Sequence, residues 1–129
     1  MAVKAVPAGY HTVTPYIVTS DAGKLIAFIE KGLGGKLTFK TAEGDRIRHA
    51  EMRIGDSMIM LGEGGPDHPP THIHLYVYTE ECDAMFERAV AAGGQVVLPM
   101  KDQENGDRNG GVKDPVGNTW YIGKRIKEQ

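Results

Sequence analysis

The chain reads as α+β, two paired βαβββ units, and three observations carry that reading. A strand-like run followed by an apolar stripe at helical spacing occurs twice. Each stripe is stopped by two glycines, Gly34-Gly35 and Gly93-Gly94. Corresponding residues also keep a common offset: Phe28 with Phe86 and Thr14 with His72 lie 58 apart, Asp45-Arg46 with Asp107-Arg108 and Gly55 with Gly117 lie 62 apart. A small insertion in the second unit accounts for the drift. Two copies are too few for a solenoid, so the units are expected to pair, either in one pseudo-twofold domain or across a dimer.

Residues 10–18, rich in Thr, Tyr, Val and Ile, predict a strand that ends at Ser20-Asp21. Both of those residues suit a helix N-cap, and Leu25, Phe28, Ile29 and Leu33 follow at helical spacing, which predicts a helix over about 21–33. Residues 36–41, 46–54 and 57–61 complete a three-strand meander with turns at 43–45 and Gly55-Asp56. Residues 62–70, GEGGPDHPP, form a Gly/Pro linker. The same order then returns. Residues 71–78 predict a strand; Thr79 is a candidate N-cap with Glu80 and Glu81 in the first turn; Cys82, Met85, Phe86, Ala89 and Val90 form the apolar stripe. Strands at 95–100, near 110–113 and at 118–126 follow, with Asp114-Pro115-Val116-Gly117 as a turn. The expectation is one domain over 1–129, its first unit at about 10–62 and its second at about 71–126.

Length and composition bound the function. The chain has 129 residues, 40% hydrophobic and 25% charged, with 15 basic against 17 acidic side chains and a net charge of −2. That is an ordinary globular composition without the basic footprint a nucleic-acid partner requires. The single cysteine, Cys82, excludes an intramolecular disulfide, and MAVKAVPAGY carries no apolar leader, which together predict a reducing, cytoplasmic setting. The longest apolar runs, 25–29 and 58–61, fall far short of the roughly 20 residues that span a membrane.

Four segments taken together carry a resemblance: HAEMRIGDSMIML at 49–61, HLYV at 74–77, FERAVAAGG at 86–94, and GDR at 106–108 followed by KDPVGNTW at 113–120. Over roughly 12–124 the chain resembles the glyoxalase/bleomycin-resistance superfamily, also called vicinal oxygen chelate, and within it the PhnB-like proteins. The resemblance implies curved mixed sheets, one from each unit, closing around a groove, and a homodimer.

Strand alternation assigns faces to that groove. In 46–54, Ala50, Met52 and Ile54 form the apolar side and leave Ile47, His49, Glu51 and Arg53 opposite; in 71–77, Ile73, Leu75 and Val77 leave His72, His74 and Tyr76 opposite. Thr14, Tyr16 and Val18 share a face on the first strand, as do Thr119 and Tyr121 on the last, with Trp120 and Ile122 turned under a helix. The expected groove is therefore lined by Thr14, Tyr16, His49, Glu51, His72, His74, Tyr76 and Tyr121, a mixture of aromatic faces and polar anchors suited to a flat, partly cationic or hydroxylated small molecule.

Metal-dependent members of the resembled family take one ligand from the first and last strand of each unit. Carried over residue by residue, those positions are Thr14, Ile59 (or Met60), His72 and Tyr121, of which only His72 is an ordinary ligand. The standard divalent-metal set is thus broken, and no cofactor is expected. An alternative set of His72, His74, His49 and Glu51 is chemically sensible, but i and i+2 side chains stand about 6–7 Å apart along a strand. An enzyme of the same superfamily, a lyase, isomerase or dioxygenase, would use His72 or His74 as general base, Glu51 to fix its tautomer, and Tyr121 or Tyr76 as oxyanion donor. A dimer with a vestigial groove is the third reading. His11 and His68 read as solvated, Cys82 as a buried thiol, Asp107-Arg108 as a bracing ion pair or an anion contact, and the GLGG run at 32–35 as a helix stop rather than a phosphate loop.

Overall fold

The computed structural model describes residues 3–128. Its elements run β1 (Tyr16–Thr19), α1 (Ala22–Leu33), β2 (Lys36–Glu43), β3 (Arg46–Ile54), β4 (Ser57–Glu63), β5 (His74–Tyr78), α2 (Cys82–Ala91), β6 (Gln95–Asp102), β7 (Asp107–Lys113) and β8 (Thr119–Arg125). Two four-stranded sheets result, ordered β1-β4-β3-β2 and β5-β8-β7-β6. In each, the strand before the helix pairs parallel with the last strand of the unit, Tyr16 opposite Met60 and Tyr76 opposite Tyr121, while the meander is antiparallel. The fold is the predicted α+β pair of βαβββ units.

The first helix begins as expected. Asp21 accepts the Lys24 N–H through its side chain at 3.0 Å, and Gly34 ends the helix in the left-handed region at φ 69°. The second glycine of the pair acts differently, since a Cβ on Gly35 would come within 2.5 Å of the Ile29 side chain. In the second unit, Gly93 (φ 108°) turns the chain and Gly94 lies where a Cβ would strike Val112. One glycine reverses the backbone and the next allows it to pass close to its own helix.

Several boundaries differ from the sequence reading. The first strand starts at Tyr16, not at residue 10: Pro15 accepts from Met60 N–H through its carbonyl but has no N–H of its own to extend the ladder. Strand β4 runs on through Gly62 and Glu63, so the linker begins at Gly64. The strand of the second unit begins at His74, because the Thr71 N–H goes to the Val18 carbonyl and the Ile73 N–H to the Asn118 side chain, neither of them a ladder partner. Helix α2 has Glu81 at its N-cap position; Thr79 instead accepts the Glu81 N–H in a short turn just before it. Strands β6 and β7 also extend beyond their predicted ends.

Each helix packs on its own sheet, and the two helices pack on one another. Phe28 of α1 meets Trp120 of β8 at 6.5 Å between ring centroids, and both belong to one buried cluster with Leu25, Ile29, Met52, Leu61, Ala89 and Ile122. Ala50, Met52 and Ile54, and Trp120 with Ile122, face this core as alternation requires. Among the described residues, no helix is long and apolar enough to cross a membrane.

A polar residue closes the core at one end. Asp114 is 4% exposed; its Oδ1 accepts the Val116 and Asn118 N–H groups and its Oδ2 accepts the Trp120 indole N–H at 2.8 Å. Asp114→Ala leaves that indole donor buried and unpaired and releases the turn. A loss of about 3 kcal/mol is expected, read as a lowered midpoint in urea with unchanged slope.

Candidate functional site

The polar faces predicted from alternation turn away from the shared core, one on each sheet. On the first, β3 presents His49 and Glu51, β1 presents Tyr16, and the stretch before β1 brings in Tyr10. The Tyr10 hydroxyl donates to Glu51 Oε1, and His49 Nε2 lies 2.8 Å from Glu51 Oε2. Those two partners hold the Glu51 carboxyl below the ordinary carboxylate range, Tyr10 first and His49 second. An ionised carboxylate only accepts, so Nε2 carries the proton. In the neutral ring Nδ1 is then an acceptor, and it lies 3.3 Å from the Tyr16 hydroxyl. The result is a directed chain, Tyr16 to His49 to Glu51, with Tyr10 bracing the far end. Burial, reinforced by Glu51, pushes the Tyr10 phenol up to about 12.

The second sheet builds a different device. Tyr76 and Tyr78 of β5 both donate to Asp107 Oδ2, at 2.7 and 2.8 Å, and Arg125 Nε stands 3.0 Å from Oδ1. Tyr76, Tyr78 and Arg125 in that order hold the Asp107 carboxyl below its usual range. Burial first, then Asp107, raises the Tyr76 phenol to about 12. Tyr76 and Tyr78 lie 4.6 Å apart, Tyr76 and Tyr121 stack at 6.2 Å, and His74 stacks on Tyr121 at 5.8 Å with its Nδ1 3.1 Å from the Tyr121 hydroxyl. Four rings thus form a continuous, partly exposed platform. The Tyr76 phenol lies over Gly123, and the Tyr16 phenol over Gly62; a Cβ there would come within 2.7 and 2.8 Å of the respective hydroxyls.

Of the eight residues predicted to line one groove, the structure brings Tyr16, His49 and Glu51 together on one sheet and His74, Tyr76 and Tyr121 on the other. Among the described residues no hydrogen bond or ring contact joins the two groups. Tyr16 and Glu51 line cavities of about 530 and 350 Å³ on the first sheet, Tyr76 and Tyr121 one of about 680 Å³ on the second. Thr14 lies before β1 and donates to the His11 carbonyl. His72 lies before β5 with its ring over Gly117, where a Cβ would come within 2.6 Å of Nε2. Both placements correct the strand assignments of those residues. Glu51 fixes the tautomer of His49, not of His72 or His74.

The donor set does not fit the metal of the resembled family. Ile59 is in the core, Tyr121 is engaged with His74, and Thr14 is turned to backbone. The alternative set is split between the sheets, and among the described residues no group of three or more His, Cys, Asp or Glu is placed to hold an ion. Elsewhere, Arg108 braces the meander through Asp83 (2.8 and 3.0 Å) and Asp102 (3.1 Å), leaving Asp107 to Arg125. Cys82 is buried, and that burial, followed by Asp83, raises its thiol. Sequence reading missed Tyr10, for which no local pattern exists. It paired Asp107 with Arg108, not with the phenols of Tyr76 and Tyr78, and missed Asn109; extending β7 back from Gly110 would have placed both on the Tyr76 face.

The profile of the Glyoxalase/Bleomycin resistance protein/Dioxygenase superfamily matches residues 9–122. The chain belongs to that superfamily. An uncharacterised protein of Mycobacterium bovis, Mb0911c, is 31% identical, the alignment covering 99% of this chain and 90% of that one. Among solved structures, TioX from Micromonospora sp. ML1 superposes with a TM-score of 0.74 at 23% identity, covering 92% of this chain and 99% of that one. TnmS3, an antibiotic-binding protein from Streptomyces sp. CB03234, gives 0.71 at 22% identity, covering 97% and 98%. At these identities the structures share the superfamily fold.

Tyr10 and Tyr76 hold their protons to about 12 in the folded chain, whereas an unfolded tyrosine ionises near 10. Their contribution to stability is therefore full below about pH 10 and is lost as pH rises through about 12. For Glu51 and Asp107 the sign reverses: their contribution is present above the ordinary carboxylate range and is lost as pH falls through the lowered values. In a ring-carbon NMR titration, Glu51→Gln is expected to bring the Tyr10 midpoint down while leaving Tyr76 in place.

Proposed function

We propose that the protein is a small-molecule-binding protein of the PhnB-like branch, cytoplasmic and independent of metal, which captures a flat, partly cationic or hydroxylated ligand on the tyrosine platform. The observation that carries this reading is the platform itself: four adjoining rings, two of them anchored through their hydroxyls to one carboxylate. Rings fixed in this way lose little freedom on binding, which favours capture by stacking. Sequestration needs no catalyst. The description of TnmS3 as antibiotic-binding supports a small-molecule ligand.

The same reading makes the working unit a homodimer. Strands β1 and β5 are outer strands of their sheets, and the two polar faces point away from a common core. A groove with both faces needs the first unit of one copy and the second unit of another. Doxorubicin, flat, hydroxylated and cationic, is the probe. Tyr121→Ala and His49→Ala are each expected to weaken its binding about tenfold by fluorescence titration. Mixing and reassociating the two variants in equal amounts rebuilds an intact groove in half of the mixed dimers' sites. About a quarter of all sites should regain wild-type affinity. No recovery would place the site within one chain, and wild-type affinity in Tyr121→Ala would overturn the platform. Dialysis against EDTA should leave the affinity unchanged.

One observation favours a second reading, an enzyme of the superfamily acting through the first sheet. The chain Tyr16–His49–Glu51 has the order of an activated hydroxyl, a general base and its orienting carboxylate. Recovery of unaltered doxorubicin by mass spectrometry is expected from the binding protein. Conversion that persists in Tyr121→Ala and disappears in His49→Ala would transfer the role to the relay.

A further inference from the structure

Proton bookkeeping beneath the platform leaves two polar atoms unassigned. The Tyr76 hydroxyl has one proton and donates it to the Asp107 carboxylate, which only accepts. The contact between Asn109 Nδ2 and the Tyr76 oxygen, at 2.9 Å, must then run from the amide to the phenol. This fixes the orientation of the Asn109 side chain and leaves Oδ1 as the free end. Asn109 is 6% exposed, and its Oδ1 has no hydrogen-bond partner among the described residues; nor has Nε2 of the half-buried Gln103. Both residues line the cavity of about 680 Å³ that Tyr76 and Tyr121 also line, with Lys101, Asp102 and Glu104 at its edge. A buried acceptor and a buried donor left unpaired are each unfavourable.

We infer that Asn109 and Gln103 form a neutral acceptor–donor pair that reads a ligand edge carrying an N–H or O–H beside a carbonyl, as in a lactam, while the ring system of the ligand lies on Tyr121 and Tyr76. This rests on the platform reading above and adds to it the polar edge of the ligand. Both recognising groups are uncharged amides, so the edge they complement is neutral. Asn109 Oδ1 takes the ligand's proton and Gln103 Nε2 gives one to its carbonyl, satisfying both atoms at once. Neither residue belongs to the groove expected from the sequence.

The test compares 2-quinolone, which has the lactam N–H, with coumarin, which has the same ring shape and carbonyl but an oxygen in place of N–H. In calorimetric titration the wild type is expected to bind 2-quinolone about tenfold more tightly. Asn109→Leu should reduce that ratio to near one. Because Asn109 also supports Tyr76, Gln103→Leu is the second variant, and it should weaken both probes alike by loss of the carbonyl contact. Equal binding of the two probes by the wild type, lost in Tyr121→Ala, would overturn the inference and leave the platform standing; a water molecule alone would then account for the two atoms. Failure of both probes to bind at millimolar concentration would overturn platform and inference together. An unchanged ratio in folded Asn109→Leu, or unchanged affinities in Gln103→Leu, would also overturn it.

Discussion

The contact on which the rest depends is the packing of the two units through their helices, joined by Phe28 of α1 against Trp120 of β8. A sheet whose inner face is committed to that core must present its other face elsewhere, because neighbouring side chains on a strand alternate. Every polar network described above is a consequence. His49 and Glu51 alternate with Ala50 and Met52 on β3, and Tyr121 sits between Trp120 and Ile122 on β8. The burial of the second set of side chains therefore fixes the outward direction of the first. It also sets the two faces on different sheets, with Tyr76 and Tyr78 reaching the first unit only along a cavity of about 600 Å³ that they share with residues 54–59.

The two faces solve the same physical problem with different chemistry. On each, one carboxylate is the fixed point: Glu51 on the first sheet, Asp107 on the second. Each takes hydrogen bonds from two neighbours that hold it ionised. Glu51 sets a histidine tautomer and so directs a proton acceptor at Tyr16. Asp107 anchors two phenols and so fixes the planes of two rings. The first arrangement organises proton position, the second organises surface. Related sheets from a repeated sequence have thus diverged in what their charge is used for, while keeping the glycines, Gly62 and Gly123, over which a tyrosine phenol lies in each unit.

Much of this was legible in the sequence because it rests on local rules. Asp21 and Gly34 bound a helix by capping chemistry, and the alternation in 46–54 assigns Ala50, Met52 and Ile54 correctly to the core. What escaped was decided by partners distant along the chain. His72 has the composition of a strand residue, but its neighbours Thr71 and Ile73 give their N–H groups to Val18 and the Asn118 side chain. Tyr10 reaches Glu51 across 41 positions with no periodic signal between them. The strand near 110–113 was underestimated because Asn109, Gly110 and Gly111 are poor strand formers taken singly. Their small size is needed there, as a Cβ on Gly110 would strike Phe86 and one on Gly111 would press on Tyr121.

That last point bears on how the platform is held. Tyr121 pairs across the ladder with Gly111 and stacks laterally on His74 and Tyr76, so its ring lies over a strand that offers backbone rather than side chain. A larger residue at 111 would lift the ring from the sheet and open the stack. The glycine leaves it flat, and the Asp107 anchor keeps its neighbour Tyr76 from rotating away. Ring positions are thus set before any ligand arrives, partly by an absent side chain and partly by a charge below the surface. In the proposed complex, stacking energy that would otherwise be spent in ordering these rings would remain available for binding.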